Sequence, residues 1–185
     1  MPEIDSDLSQ SSTATSLLVG KLKDTNAGYE HGELVFGYNL RDKTGEVRGG
    51  SSEKVWMQGE GTINRNNIDL ADFGAHGGAE KGWKYFGMNH RDENMARVFE
   101  HEYLGHHHLG IMAAGDGNAT QMGRVVEYTN LFRRERGILE RLNYGGGGSP
   151  IVYGKTSDFN STRELIKYIQ AVNKGKISPT SYRKK

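Results

Sequence analysis

His101-Glu102-Tyr103-Leu104-Gly105-His106-His107-His108 is the stretch on which the reading of this chain turns. Four of the chain's 7 histidines fall inside it, and Glu100 stands just before it. The chain has no cysteine, so thiolate sites and disulfides are excluded. Crowded imidazole and carboxylate donors suit a borderline dication, and zinc is the expected one, one ion per chain.

The spacing is unusual. His-Glu-x-x-His sets two imidazoles on one helical face, with the glutamate as general base for the attacking water. Here three residues separate Glu102 from His106. At ~100° per residue, positions five apart on an α-helix diverge by ~140°. Three arrangements answer this. A π-bulge absorbs one residue and returns His101 and His106 to a common face. Alternatively the helix ends at Gly105 and His106 or His107 reaches back from a turn. In the third, Glu102 and His106, four apart on a regular helix, are the ligands. A further ligand must come from downstream, and Asp116, in a Gly-Asp-Gly turn, and Glu127, on the next helix, are the candidates. His76 and His90 stand apart from the cluster.

Working outward, Asn89 or Asp92 caps a helix beginning near Glu93, with Met95, Val98 and Phe99 on its apolar face. It ends near Gly110 or in the loop 113–118. A second helix is expected from about Thr120 to Arg136, with Gly137 as its stop. Ile151-Val152-Tyr153 reads as a strand. A last helix over Ser161–Asn173 opens with the capping box Ser161-Thr162-Arg163-Glu164. Upstream, strands are expected at Ser16–Val19 and Glu33–Phe36, with a turn at Asn26-Ala27-Gly28. A hairpin spans Lys54–Asp69, Asn66-Asn67 being a turn signal. Trp83, Tyr85, Phe86 and Met88 read as core. Residues 1–15, polar and Ser/Thr-rich, read as a disordered linker, and residues 16–185 as one domain. Gly145 to Gly148 suggest a loop. Strands first and helices later make the class α+β.

At 185 residues the chain can bury a core without staples. With 24 basic and 23 acidic residues it has no general nucleic-acid footprint, the tail Arg183-Lys184-Lys185 being a mild exception. No apolar run approaches the ~20 residues of a membrane span, and the N-terminus is no secretory signal. Neither membrane nor nucleic acid is therefore an expected partner.

Two blocks carry a family likeness. One is Glu100-His101-Glu102-Tyr103-Leu104-Gly105-His106-His107. The other is Glu127 through Gly137 (Glu-Tyr-Thr-Asn-Leu-Phe-Arg-Arg-Glu-Arg-Gly), followed by Glu140-Arg141-Leu142-Asn143-Tyr144-Gly145. Together they resemble bacterial effector zinc metallopeptidases and the similar C-terminal toxin domains of Rhs-type polymorphic toxins. The likeness covers about a quarter of the chain. It implies a small zincin-like domain, with N-terminal strands and hairpin packed on the metal-bearing helix and the next. It implies His101 and His106 as ligands, Glu102 as general base, and Tyr144 or Arg141 as oxyanion stabiliser. It further implies delivery into a target cell by a specialised secretion system, action in cytosol or periplasm, a protein substrate there, and room for a cognate immunity protein. The substrate groove is expected along the hairpin strand near Thr62 to Leu70. A metal-dependent nuclease toxin and a non-catalytic metal-stabilised binding module are the competing readings. Arg133, Arg134, Arg141 and Tyr144 also have a plain structural role open to them, tying the last loop to the helices.

Overall fold

The computed structural model describes residues 8–23, 32–38, 40–41, 44–45, 50–59, 61–69, 95–111, 115–145, 149 and 151–177. Its elements are helix α1 (Ser12–Lys23), strands β1 (Gly32–Gly37), β2 (Gly50–Met57) and β3 (Gly61–Asp69), helix α2 (Met95–Phe99), and a π-helical segment over Glu100–His107. A small hairpin follows, β4 (Gly117–Asn118) and β5 (Gln121–Met122), then helix α3 (Arg124–Glu135). The short strands β6 (Glu140–Arg141) and β7 (Tyr153–Gly154) and helix α4 (Thr162–Asn173) complete the order. The class is α+β. No helix among the described residues is long and apolar enough to cross a membrane.

The main sheet has the order β1-β3-β2, with β1 parallel and β2 antiparallel to β3. The hairpin turns at Gln58-Gly59, where Gly59 takes φ +90°, a conformation that suits glycine. It does not turn at Asn66-Asn67. Those residues run on through β3, and Ser51 and Ser52 of β2 hold their amides by hydrogen bonds of 3.0 and 2.9 Å. Asparagine is a turn former because its amide can bond locally. Here cross-strand hydroxyls satisfy that amide instead. β3 is the central strand, paired on both sides, and so has no free edge among the described residues to border the expected groove. Among the described strands, β2 is the outer one beside the π-helical segment.

The N-terminus departs most from expectation. Ser16–Val19 lies inside α1 and is not a strand, and part of the expected linker is packed, with Leu8 and Ala14 buried. Ser11 caps α1, its Oγ accepting from the Ala14 N–H at 3.0 Å. That hydroxyl in turn donates to Glu135 Oε2 at 2.6 Å, and Glu135 also accepts from the Thr13 N–H at 3.1 Å and from the Thr13 hydroxyl. A carboxylate 122 residues away in sequence thus completes the cap. The first turn of α1, Ser12-Thr13-Ala14-Thr15-Ser16, is rich in weak helix formers, and this distant partner supports it.

Leu8, Ala14, Ile68, Phe99, Leu104 and Phe132 form one core cluster, which joins α1, the sheet, the π-helical segment and α3. A second joins Leu142, Val152, Leu165, Tyr168, Ile169 and Val172. Glu100 is buried. It pairs with Arg97 at 3.0 Å and with Arg136. Two guanidiniums around one carboxylate offset the desolvation that an isolated buried charge would suffer. The Asn89 and Asp92 caps, the turn at Asn26–Gly28, the aromatic group Trp83–Met88, His76, His90, and the tail from Arg183 lie outside the described residues.

Candidate metal centre

The π-helical segment runs for eight residues, Glu100 to His107. Its bonds join residues five apart, as in Ile111 N–H to His106 C=O at 3.2 Å at its exit. Residues five apart then stack on one face. His101 and His106 meet edge to face, with ring centroids 4.9 Å apart. Gly105 allows the segment to lie close to α3, since a Cβ there would sit 2.9 Å from Val125 Cγ1 and 3.1 Å from Thr129 Cγ2.

Asp116 arrives from the β4–β5 hairpin. Its carbonyl accepts from the Gly123 N–H at 2.8 Å, which closes the base of that hairpin. The closure requires glycine. Gly117 takes φ +100°, and a Cβ on Gly123 would lie 2.1 Å from the Gly115 carbonyl oxygen. The Asp116 carboxylate then sits between the histidines. Its Oδ1 is 2.8 Å from His101 Nε2 and 2.9 Å from His106 Nε2. The three side chains are buried and offer ligand atoms that all lie within 4.8 Å of one another. This buried His-His-Asp group could hold a metal ion.

Burial and mutual contact shift the protonation of all three groups. Burial opposes the charge of Asp116, yet the hydrogen bonds from His101 and His106 hold its carboxyl well below the ordinary carboxylate range. Burial lowers His101, partly offset by its bond to Asp116, and the Arg141 charge lowers it further. His106 is raised. Burial opposes this, but its bond to Asp116 and the charges of Glu102 and Asp116 outweigh burial. The His106 Nδ1 faces the Ile111 carbonyl at 2.5 Å. A backbone acceptor on the far nitrogen is the usual support of a metal-bound imidazole, because it fixes the tautomer. His101 Nδ1 is buried with no hydrogen-bond partner among the described residues. Two imidazoles and one carboxylate suit zinc and other borderline dications, and three protein ligands leave a position open.

The remaining expected residues fall into two groups. Glu102 is buried beside the cluster, its charge reaching His106. Tyr144 stacks on His101 at 6.0 Å between centroids, and the Arg141 guanidinium lies 5.1 Å over the Tyr144 ring. His107 and Glu127 are not brought to the cluster. His107 stacks on Tyr103 at 5.1 Å, which in turn stacks on Phe99. Once the segment winds with five-residue bonds, the residue after His106 points away from the ligand face. Glu127 is exposed in the first turn of α3, where a carboxylate is favourable near the helix N-terminus.

The second motif block does structural work around this site. The Asn130 amide pairs both ways with the Arg141 backbone, at 2.9 Å each. Arg133 Nε donates to the Leu139 carbonyl at 2.6 Å, and Arg134 pairs with Glu140 at 2.5 Å. Asn143, which sequence reasoning passed over, is fully buried. It donates to the Ala119 carbonyl at 2.7 Å and accepts from the Val152 N–H at 2.7 Å. The Tyr144 N–H donates to the Asn118 carbonyl at 3.1 Å. The segment carrying Arg141 and Tyr144 is thereby fastened to the hairpin beside Asp116. The chain matches no family model, no curated protein and no solved structure.

Proposed function

We propose that this chain is a zinc-dependent metallopeptidase that hydrolyses a peptide bond in a target-cell protein, as an effector or toxin domain delivered by a specialised secretion system. The observation that carries the reading is the convergence of His101, His106 and Asp116, with Glu102 buried beside them. His101, His106 and Asp116 would hold the ion. When bound, zinc supplies Lewis-acid polarisation and an activated water.

The chain's own residues supply the rest. Glu102 takes the proton of the attacking water and returns it to the leaving amine. Tyr144, stacked on His101, and Arg141, over the Tyr144 ring, bring a phenol and a cation toward the centre, where negative charge develops on the amide oxygen. The start of β2, at Gly50, comes close to Glu102. Two imidazoles and one carboxylate without a fourth ligand among the described residues favour a catalytic over a closed structural site. The zincin-like character and the effector role rest on the two sequence blocks.

The test pairs elemental analysis of untagged protein with a search for new protein N-termini in target-cell lysate. We expect about one zinc per chain, lost in His101→Ala and kept in Glu102→Gln, with new termini made only by the unsubstituted protein. A chain without stoichiometric metal, or the same termini from Glu102→Gln, overturns the reading.

A further inference from the structure

Glu102 has a close neighbour outside its own helix. Gly50 opens β2, its backbone in register with Ile68, a fully buried residue of the central strand. A Cβ on Gly50 would lie 2.9 Å from Glu102 Cγ, 3.1 Å from Glu102 Oε1 and 2.4 Å from Val98 Cγ1. Carbon atoms in contact prefer about 3.5–4.0 Å. The backbone conformation of Gly50 is not left-handed, so no turn demands glycine there. What the position demands is close approach of strand to helix. The ladder to Ile68 prevents the strand from retreating, so an added methyl would displace Glu102 or Val98.

We infer that Gly50 is a positioning residue for Glu102. By carrying no side chain it lets the Glu102 stem lie flat on β2 and fixes the carboxylate beside the His101–His106–Asp116 group. The inference rests on Glu102 being the proton-transferring residue of the proposed reaction.

Acetohydroxamate tests the placement without a known substrate. It chelates the metal and hydrogen-bonds to a carboxylate standing beside it, and its binding to cobalt-loaded protein is read in visible absorption. Glu102→Gln should weaken binding about tenfold or more, the loss of one charge-assisted bond. Gly50→Ala should weaken it comparably while keeping its cobalt. Val98→Ala alone should change nothing, and Gly50→Ala with Val98→Ala should stay weak, because the contact with Glu102 persists. Gly50→Ala with unchanged affinity, or restored by Val98→Ala, overturns the inference and leaves the proposed reaction standing. Gly50→Ala that loses cobalt also overturns it, since the residue would then serve the ligands. Unchanged binding in Glu102→Gln overturns the proton-transfer role itself.

Discussion

α4 and the π-helical segment both bury much of their surface, and they do so with opposite chemistry. α4 buries Leu165, Tyr168, Ile169 and Val172 along one stripe, and Ser161 caps it by accepting from the Glu164 N–H at 3.2 Å. Glu164 reaches back to the Asn160 N–H at 2.8 Å, one residue beyond the usual capping box. The π-helical segment buries Glu100, His101, Glu102, His106 and His107 with only Leu104 as a large apolar residue. Burial of α4 lowers free energy by removing hydrocarbon from water. Burial of the π-helical segment raises it unless every polar group finds a partner. The second arrangement, in a helix type that is rare in itself, is one often found at functional sites. The contrast separates an element that stabilises from one that the rest of the molecule must hold.

The comparison breaks most sharply at the ligands. Asp116→Ala should reduce zinc affinity by about a hundredfold or more, since it removes a ligand outright; equilibrium dialysis measures it. It should change metal-free stability far less than a core truncation does. If zinc affinity is unchanged, the buried polar cluster is structural and the contrast collapses. Ile169→Ala, in α4, should cost about 2–5 kcal/mol in denaturant unfolding. The surviving folded fraction should bind zinc as before.

Deleting Tyr103 sharpens the comparison. It leaves His101-Glu102 two residues before His106, and an α-helix then aligns the two imidazoles as the π-helix does now. Zinc affinity should stay within about tenfold, with the loss of the Phe99–Tyr103–His107 stack seen as a lower melting temperature. Complete loss of zinc would mean that the π-helical path has a role beyond spacing.

The smallest effect belongs to α1. Hydrogen bonds from Ser11 and Thr13 lower the Glu135 carboxyl from its ordinary 4.5 to about 2. A depressed carboxyl stabilises the fold above its unfolded value and loses that contribution as pH falls toward the folded one. Protection of the Ala14 and Thr15 amides from hydrogen exchange should therefore decline between about pH 4.5 and 2. Glu135→Gln should lower it roughly two- to fivefold at pH 7, an exposed carboxylate being largely screened, and should remove the pH dependence. A mutant that keeps the wild-type pH profile would show that Glu135 does not hold α1.

α4 was legible because everything that defines it is local: a cap, a box and an apolar stripe at helical spacing. The histidine cluster was legible as donors, and the extra residue before His106 raised the π-helical solution among three. The sequence also offered Asp116 beside Glu127 without ranking them. α1 was misread as a strand and linker because its helix-making group, Glu135, is supplied by α3. The Asn66-Asn67 pair was misread as a turn because its partners, Ser51 and Ser52, sit on another strand.

The sequence by itself determined which chemistry is available, imidazole and carboxylate donors without thiolate, and with it a hydrophobic stripe for α4 and the α+β class. The tertiary structure alone decided that residues 100–107 wind with five-residue bonds, that Asp116 joins His101 and His106, and that His107 and Glu127 stay away. Local sequence fixes donor types and helical spacing through steric and solvation rules that act over a few residues. The choice among ligands depends on where a tight glycine-built hairpin comes to rest against a helix, and contacts between distant segments settle that.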